Sequence, residues 1–238
     1  MTVETTALAP LTRYTHLRRD AEQNRRKILD AARELFAERG VDAPLDEVAR
    51  HAEVGIATLY RRFPTRDDLI VAAFQEKMET WADAVEAALQ EPDVSTALPA
   101  YLTQIFDMQA ADRGFTDVLV MRFPMAPEIE GARDRGHNGF LELMTRAQEA
   151  GCLRADFEAE DFLFFLMANA GVIHAAGAVS EMARRRLVSY LLQAIGTEPL
   201  GPLPPSPGQD ATLEAMQRLP HVKRERTPHA ARKHPLIR

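Results

Sequence analysis

Leu45-Asp46-Glu47-Val48-Ala49-Arg50-His51-Ala52-Glu53-Val54-Gly55-Ile56-Ala57-Thr58-Leu59-Tyr60-Arg61-Arg62-Phe63-Pro64-Thr65-Arg66-Asp67-Asp68-Leu69 is the stretch on which the reading of this 238-residue chain turns. Leu45, Val48, Ala49 and Ala52 recur at helical spacing. Glu53-Val54-Gly55 interrupts that stripe, and Ile56 to Phe63 forms a second short helix closed by Pro64. Ala49 is small where the two helices must cross, and Val54 is apolar within a polar turn, as a residue pinned to the core should be. This is the spacing of a helix-turn-helix, although a generic three-helix bundle explains Ala49 and Val54 almost as well.

Upstream, Ile28, Leu29, Ala32, Leu35 and Phe36 place a longer helix from about Asp20 to a C-cap at Gly40, and Pro44 suits the first turn of the next. Downstream, Thr65 and Asp68 have the spacing of a capping box. Arg66 stands in the same turn, on the unfavourable side of the helix dipole. An external phosphate would explain a cation there; so would a carboxylate of the protein itself.

The quoted segment closely resembles the DNA-binding signature of the TetR family of bacterial transcriptional regulators, and the match extends back through Ile28, Ala31, Ala32, Leu35, Phe36 and Gly40. The resemblance implies an all-α homodimer that sets recognition helices into a palindromic double-stranded DNA operator and responds to a small-molecule effector, with repression as the family default. It assigns phosphate contacts to Thr58, Tyr60, Arg62 and Arg66, and base edges to Ile56, Ala57 and Arg61. Hydroxyls and guanidinium groups suit those partners. Packing of the Tyr60 ring against the first helix is the structural alternative. The family commonly has Gly at the position of Glu53 and Ser at that of Gly55. Glu53 therefore implies a turn that needs no positive φ, and Gly55 remains an acceptable N-cap. Ala43 and Pro44 replace the usual Thr or Ser.

Charge is distributed unevenly. Residues 13–66 carry 12 Lys and Arg against 9 Asp and Glu, residues 67–196 carry 10 against 21, and residues 197–238 carry 7 against 4, within an overall net charge of -6. A basic front joined to an acidic body suggests that one part meets a polyanion. The domains expected are an arm over 1–17, the helix-turn-helix domain over 18–66, a helical ligand-binding and dimerisation domain over 67–196, and a disordered Pro-rich basic tail over 197–238. Within the body, helical patterns run over about 67–90, 96–111, from 115, 128–150, 159–177 and 180–195, and no run alternates as a strand does.

The last two of these helices pair with their copies in the family. Phe164, Phe165, Leu187, Tyr190, Leu191 and Ile195 would supply apolar area there, and Ala168, Gly171, Ala175, Ala176 and Gly177 would permit close approach. Relatives enclose an effector with helices that here carry Trp81, Phe106, Phe115, Met121, Phe123, Met125, Phe140 and Met144. Methionines and aromatics suit an adaptable apolar pocket, and Arg122 among them is a polar anchor or one half of a salt bridge. Phe162 to Val179 is uncharged over 18 residues, yet Asn169, His174 and two glycines favour a helix between helices over a membrane span. A lone Cys152, no phosphate-binding loop, no nucleophile motif and scattered histidines point away from an enzyme, a cofactor or a metal site. With no readable signal peptide, a cytoplasmic protein is expected. A regulator that answers to a protein partner, and remotely an all-α enzyme, are the alternatives.

Overall fold

The structure is a computed structural model that describes residues 9–176 and 179–196 together with Asp210. Its described residues form helices α1 (Ala9–Arg39), α2 (Leu45–His51), α3 (Ile56–Arg62), α4 (Arg66–Gln90), α5 (Val94–Ala111), α6 (Arg113–Val120), α7 (Pro127–Glu149), α8 (Ala159–Ala175) and α9 (Ser180–Ala194). The all-α reading holds, with a three-helix front and a larger helical body. Residues 9–17, expected to be an arm, are instead the start of α1. Pro10 sits in the first turn, where its missing N–H is harmless, and the residues that follow tolerate helix well enough to extend it. Residues 1–8, Gly177 and the tail apart from Asp210 lie outside the described residues. None of the helices described is long and apolar enough to cross a membrane.

In the front, the predicted stripes are the buried ones. Ile28, Ala32 and Phe36 of α1 pack with Val48, Ala49, Leu59 and Phe63, all at most 3% exposed. α4 carries this core into the body: Phe74 stacks on Phe36 with ring centroids 6.2 Å apart, and Trp81 and Val85 continue the same face of the helix. α4 packs most extensively on α7, because α7 presents glycines to it. A Cβ built on Gly136 would lie 2.5 Å from the Trp81 ring, and one on Gly139 would lie 2.6 Å from Val85. α5 lies against α4, α7 and α8, and α8 pairs with α9.

Candidate nucleic-acid interface and ligand cavity

α3 is short and nearly bare. Of its seven residues only Leu59 is buried, at 0% exposure, so one side chain anchors the helix while Ile56, Ala57, Tyr60, Arg61 and Arg62 face solvent. Ile56 is 42% and Tyr60 48% exposed, unusual for large apolar side chains that could have been packed. About half of the Tyr60 side chain is therefore open to solvent. Thr58 is half-buried, and its hydroxyl accepts from Arg61 Nη2 at 3.0 Å. The exposed face thus combines two guanidinium groups, a phenol and a small apolar patch at the start of the helix.

What holds α3 at this angle is local. Ala52 caps α2, and the turn that follows closes with Glu53 N–H donating to the Arg50 carbonyl at 3.1 Å and Val54 N–H to the Ala49 carbonyl at 2.9 Å. That pair of bonds is a Schellman closure, and it requires the left-handed region at the residue between. Glu53 accordingly has φ 55°, which corrects the expectation that a residue with a Cβ implied ordinary backbone here. Hydrogen-bond closure prevails over the side-chain clash, and Lys27 Nζ approaches the displaced carboxylate at 3.4 Å. Gly55 is the N-cap of α3, with no side-chain bond. The capping box forms: Asp68 N–H donates to Thr65 Oγ1 at 3.1 Å, and Thr65 N–H donates to Asp68 Oδ2 at 2.9 Å.

Arg66 turns inward. Its Nη1 donates to the carbonyls of Val41 and Ala43 at 2.7 and 2.8 Å, so one nitrogen of the cation in the first turn of α4 is engaged by the loop after α1. Val41 is held from both sides, since its N–H donates to Asp117 Oδ2 on α6 at 3.0 Å.

α6 leads into the body. Beside its C-terminal end lies a cavity of about 590 Å³, walled mainly by α7, α8 and the segment leading into α8, with Leu119 and Val120 of α6, Trp81 of α4 and Tyr101 of α5 completing it. Trp81, Arg122, Phe140 and Met144 are among the residues that line it. Phe106, Phe115 and Phe123 do not; they are fully or almost fully buried in the core. Met121 also packs on the core, and Met125 is 94% exposed in the connection before α7. Helical periodicity places a residue on a face but cannot say whether that face meets a core or a void. The lining residues that the sequence reading missed include Tyr101, Arg133, His137, Phe157, Phe162 and Leu166. One signal for some of them was present: Arg133, His137, Phe140, Met144 and Gln148 recur every three or four residues along one stripe of α7.

Arg133 organises the end of α6. Its guanidinium is almost wholly buried; Nη2 donates to the Val118 carbonyl at 2.9 Å and Nη1 to that of Leu119, which satisfies the C-terminal carbonyls of the helix. Burial pulls its pKa below the usual guanidinium value, against the Glu130 carboxylate that favours the charge. Glu130 sits 3.6 Å from Arg133 and 3.2 Å from Arg122, and accepts from Phe123 N–H at 2.7 Å. Burial would raise its pKa, but that hydrogen bond and the two guanidinium groups together hold it below the ordinary range.

On α8 and α9, Ala168, Gly171, Ala175 and Tyr190 are exposed and Phe164, Leu187 and Leu191 half-buried, so these seven residues are accessible. Ile195 is not among them: it is 5% exposed, and its carbonyl accepts from Arg154 N–H at 3.0 Å.

Residues 28–73 match the family described as bacterial regulatory proteins, tetR family, and residues 93–194 match the C-terminal domain of SbtR-like transcriptional regulators. The TetR transcriptional regulator SCO0520 of Streptomyces coelicolor is 32% identical, over 74% of this chain and 99% of its own, with a TM-score of 0.47. HlyIIR, a hemolysin II transcriptional regulator, is 18% identical over 74% and 98% of the two chains, with a TM-score of 0.51, a likeness of fold. The HTH-type transcriptional regulator SAUSA300_2515 of Staphylococcus aureus is 34% identical over 64 residues, 26% of this chain and 35% of that regulator, so this curated relative is matched over about a third of its length.

Proposed function

The chain belongs to the TetR family of bacterial transcriptional regulators, and on that premise we propose that it is a repressor that binds a palindromic operator as a homodimer and lets go when a small molecule enters the body. The observation that carries this reading is the exposed face of α3. A helix anchored by Leu59 alone, with Ile56 and Ala57 forward and Tyr60, Arg61 and Arg62 beside them, has the size and chemistry to enter a major groove. Ile56, Ala57 and Arg61 read base edges, while Thr58, Tyr60 and Arg62 hold phosphates. Arg66 supports the loop from behind. The accessible α8 and α9 surfaces suit pairing with a second copy, which sets the spacing of two such helices.

The 590 Å³ cavity favours a small-molecule effector over a protein partner. A physical route joins it to α3. Arg133 on the cavity wall binds the last carbonyls of α6, Asp117 on α6 holds Val41, and Arg66 holds Val41 and Ala43 from the other side. An effector that displaces Arg133 would thus bias the position of the helix-turn-helix relative to the body. The test is a footprint on the DNA flanking the protein's own coding region. A protected palindrome, lost at high salt, is expected; no sequence-selective protection of any duplex would reject the reading.

A further inference from the structure

The effector's chemistry is written on the inner wall of the cavity. Trp81 on α4 and Tyr101 on α5 both line it, at 9% and 2% exposure, and neither the indole Nε1 nor the phenol oxygen has a hydrogen-bond partner among the described residues. Arg133 Nε, from the same lining, is likewise buried with no hydrogen-bond partner, its nearest carboxylate, that of Glu130, lying 3.6 Å away. Buried polar groups left unpaired are rare in proteins, and three donors from one cavity lining ask for a common explanation. The indole and the phenol are also neighbours. The indole N–H lies close enough to the phenol oxygen to offset part of the rise in pKa that burial causes, though not in hydrogen-bond geometry, and like any tyrosine hydroxyl at neutral pH the phenol is a donor.

Neither group is free to turn away. Gly136 of α7 leaves no space behind the Trp81 ring, and the Tyr101 ring stacks on Phe140 at 6.0 Å, which in turn meets Phe162 at 5.1 Å. The two donors are thus set in a fixed wall of rings. The charges around the cavity discourage an anion. Arg133 has its terminal nitrogens on carbonyls and shares Glu130 with Arg122, while Asp134, Glu158 and Glu160 add three carboxylates to the lining.

Resting on the regulator reading above, we propose that the effector is a neutral, ring-bearing molecule whose hydroxyl or carbonyl oxygen accepts hydrogen bonds from Trp81 Nε1 and the Tyr101 hydroxyl while its rings lie against Phe140 and Phe162. Such a ligand satisfies both aromatic donors at once. A pure hydrocarbon leaves them orphaned, and a carboxylate brings charge to a lining that already has more carboxylates than uncommitted cations.

The test compares biphenyl, 4-phenylphenol and biphenyl-4-carboxylate by equilibrium dialysis against the full chain at neutral pH, with emission of the single tryptophan, Trp81, as a second readout. 4-Phenylphenol should bind at least about tenfold tighter than either of the others, a discrimination of the size expected for pairing a buried donor. Tyr101→Phe and Trp81→Phe should each bring the phenol-to-hydrocarbon ratio towards one while biphenyl binding persists. Equal affinities, tightest binding of the carboxylate, no binding of any probe, or an undiminished ratio in both variants would overturn the proposal. The same preparation is footprinted without probe: intact operator protection beside failed discrimination removes this inference alone, whereas absent protection removes the regulator reading.

Discussion

Between Gly40 and Leu69 the side chains that matter are placed chiefly by bonds spanning a few residues, whereas the cavity wall from Trp81 to Leu166 is assembled by helices far apart in the chain. Gly40, at φ 82°, ends α1; a Schellman closure ends α2; and the Thr65 and Asp68 box starts α4. Each of these devices needs only its own neighbours. The cavity depends instead on the gap left where α7 packs on α4 and α5, and α8 packs on α5, and no local pattern records that gap. The first region can therefore change its surface without losing its frame, while the second cannot change a methyl group without moving a wall.

The widest separation between the two regions should come from Tyr60→Ala combined with Arg62→Ala. Both side chains are exposed, so stability should move by no more than about 0.5 kcal/mol. Operator affinity should fall by roughly two orders of magnitude, and its dependence on salt should become shallower as phosphate contacts are lost. Gel shifts over a salt series with parallel thermal melts measure both quantities. Full affinity in the double variant would remove α3 from the interface.

Gly136→Ala is the converse change, silent at the surface and felt inside. The added methyl meets the Trp81 ring, which must shift towards the cavity or push α7 away, so overpacking should cost about 1–3 kcal/mol and shift the Trp81 emission. Operator contacts at α3 are untouched by the substitution. An unshifted spectrum with unchanged melting temperature would mean that α4 and α7 are not packed as closely as the glycines indicate.

Arg66→Ala probes the seam between the regions. It leaves the carbonyls of Val41 and Ala43 without their donor, at a cost of about 1–2 kcal/mol by thermal melt. The salt dependence of any remaining DNA binding should be unaltered if the role of Arg66 is to hold this loop through Nη1. A salt slope reduced by about one would instead make Arg66 a phosphate ligand, as the family pattern had implied.

These contrasts also explain what was legible in the sequence. The stripes Ile28 to Phe36 and Leu45 to Ala52 fixed the front helices, because a periodic apolar face has one way to be buried. The body helices were legible to within a few residues at most ends for the same reason. The cavity was not. Phe106 and Phe115 have the composition of pocket residues and went to the core, while Tyr101 and Arg133 went to the wall; only the packing of α5, α6 and α7 distinguishes those fates. At Arg66 the sequence posed a genuine question, a cation at a helix N-terminus, whose answer lay in backbone carbonyls about 25 residues earlier.

Glu53 is the smallest effect and the sharpest test of the claim that the front is framed locally. Its φ of 55° is imposed by the closure of α2, and a residue with a Cβ pays about 1 kcal/mol or more to sit there. Glycine would relieve that strain but gives the unfolded chain more freedom, which offsets part of the gain. The lost carboxylate matters little, since its 3.4 Å approach to Lys27 is exposed. Glu53→Gly should therefore stabilise the protein by about 0.5–1 kcal/mol, read as a rise in melting temperature with α3 function unchanged. If the variant melts lower, the turn is held by the Glu53 side chain and its reach to α1, and the geometry of α3 would depend on long-range contacts just as the cavity does.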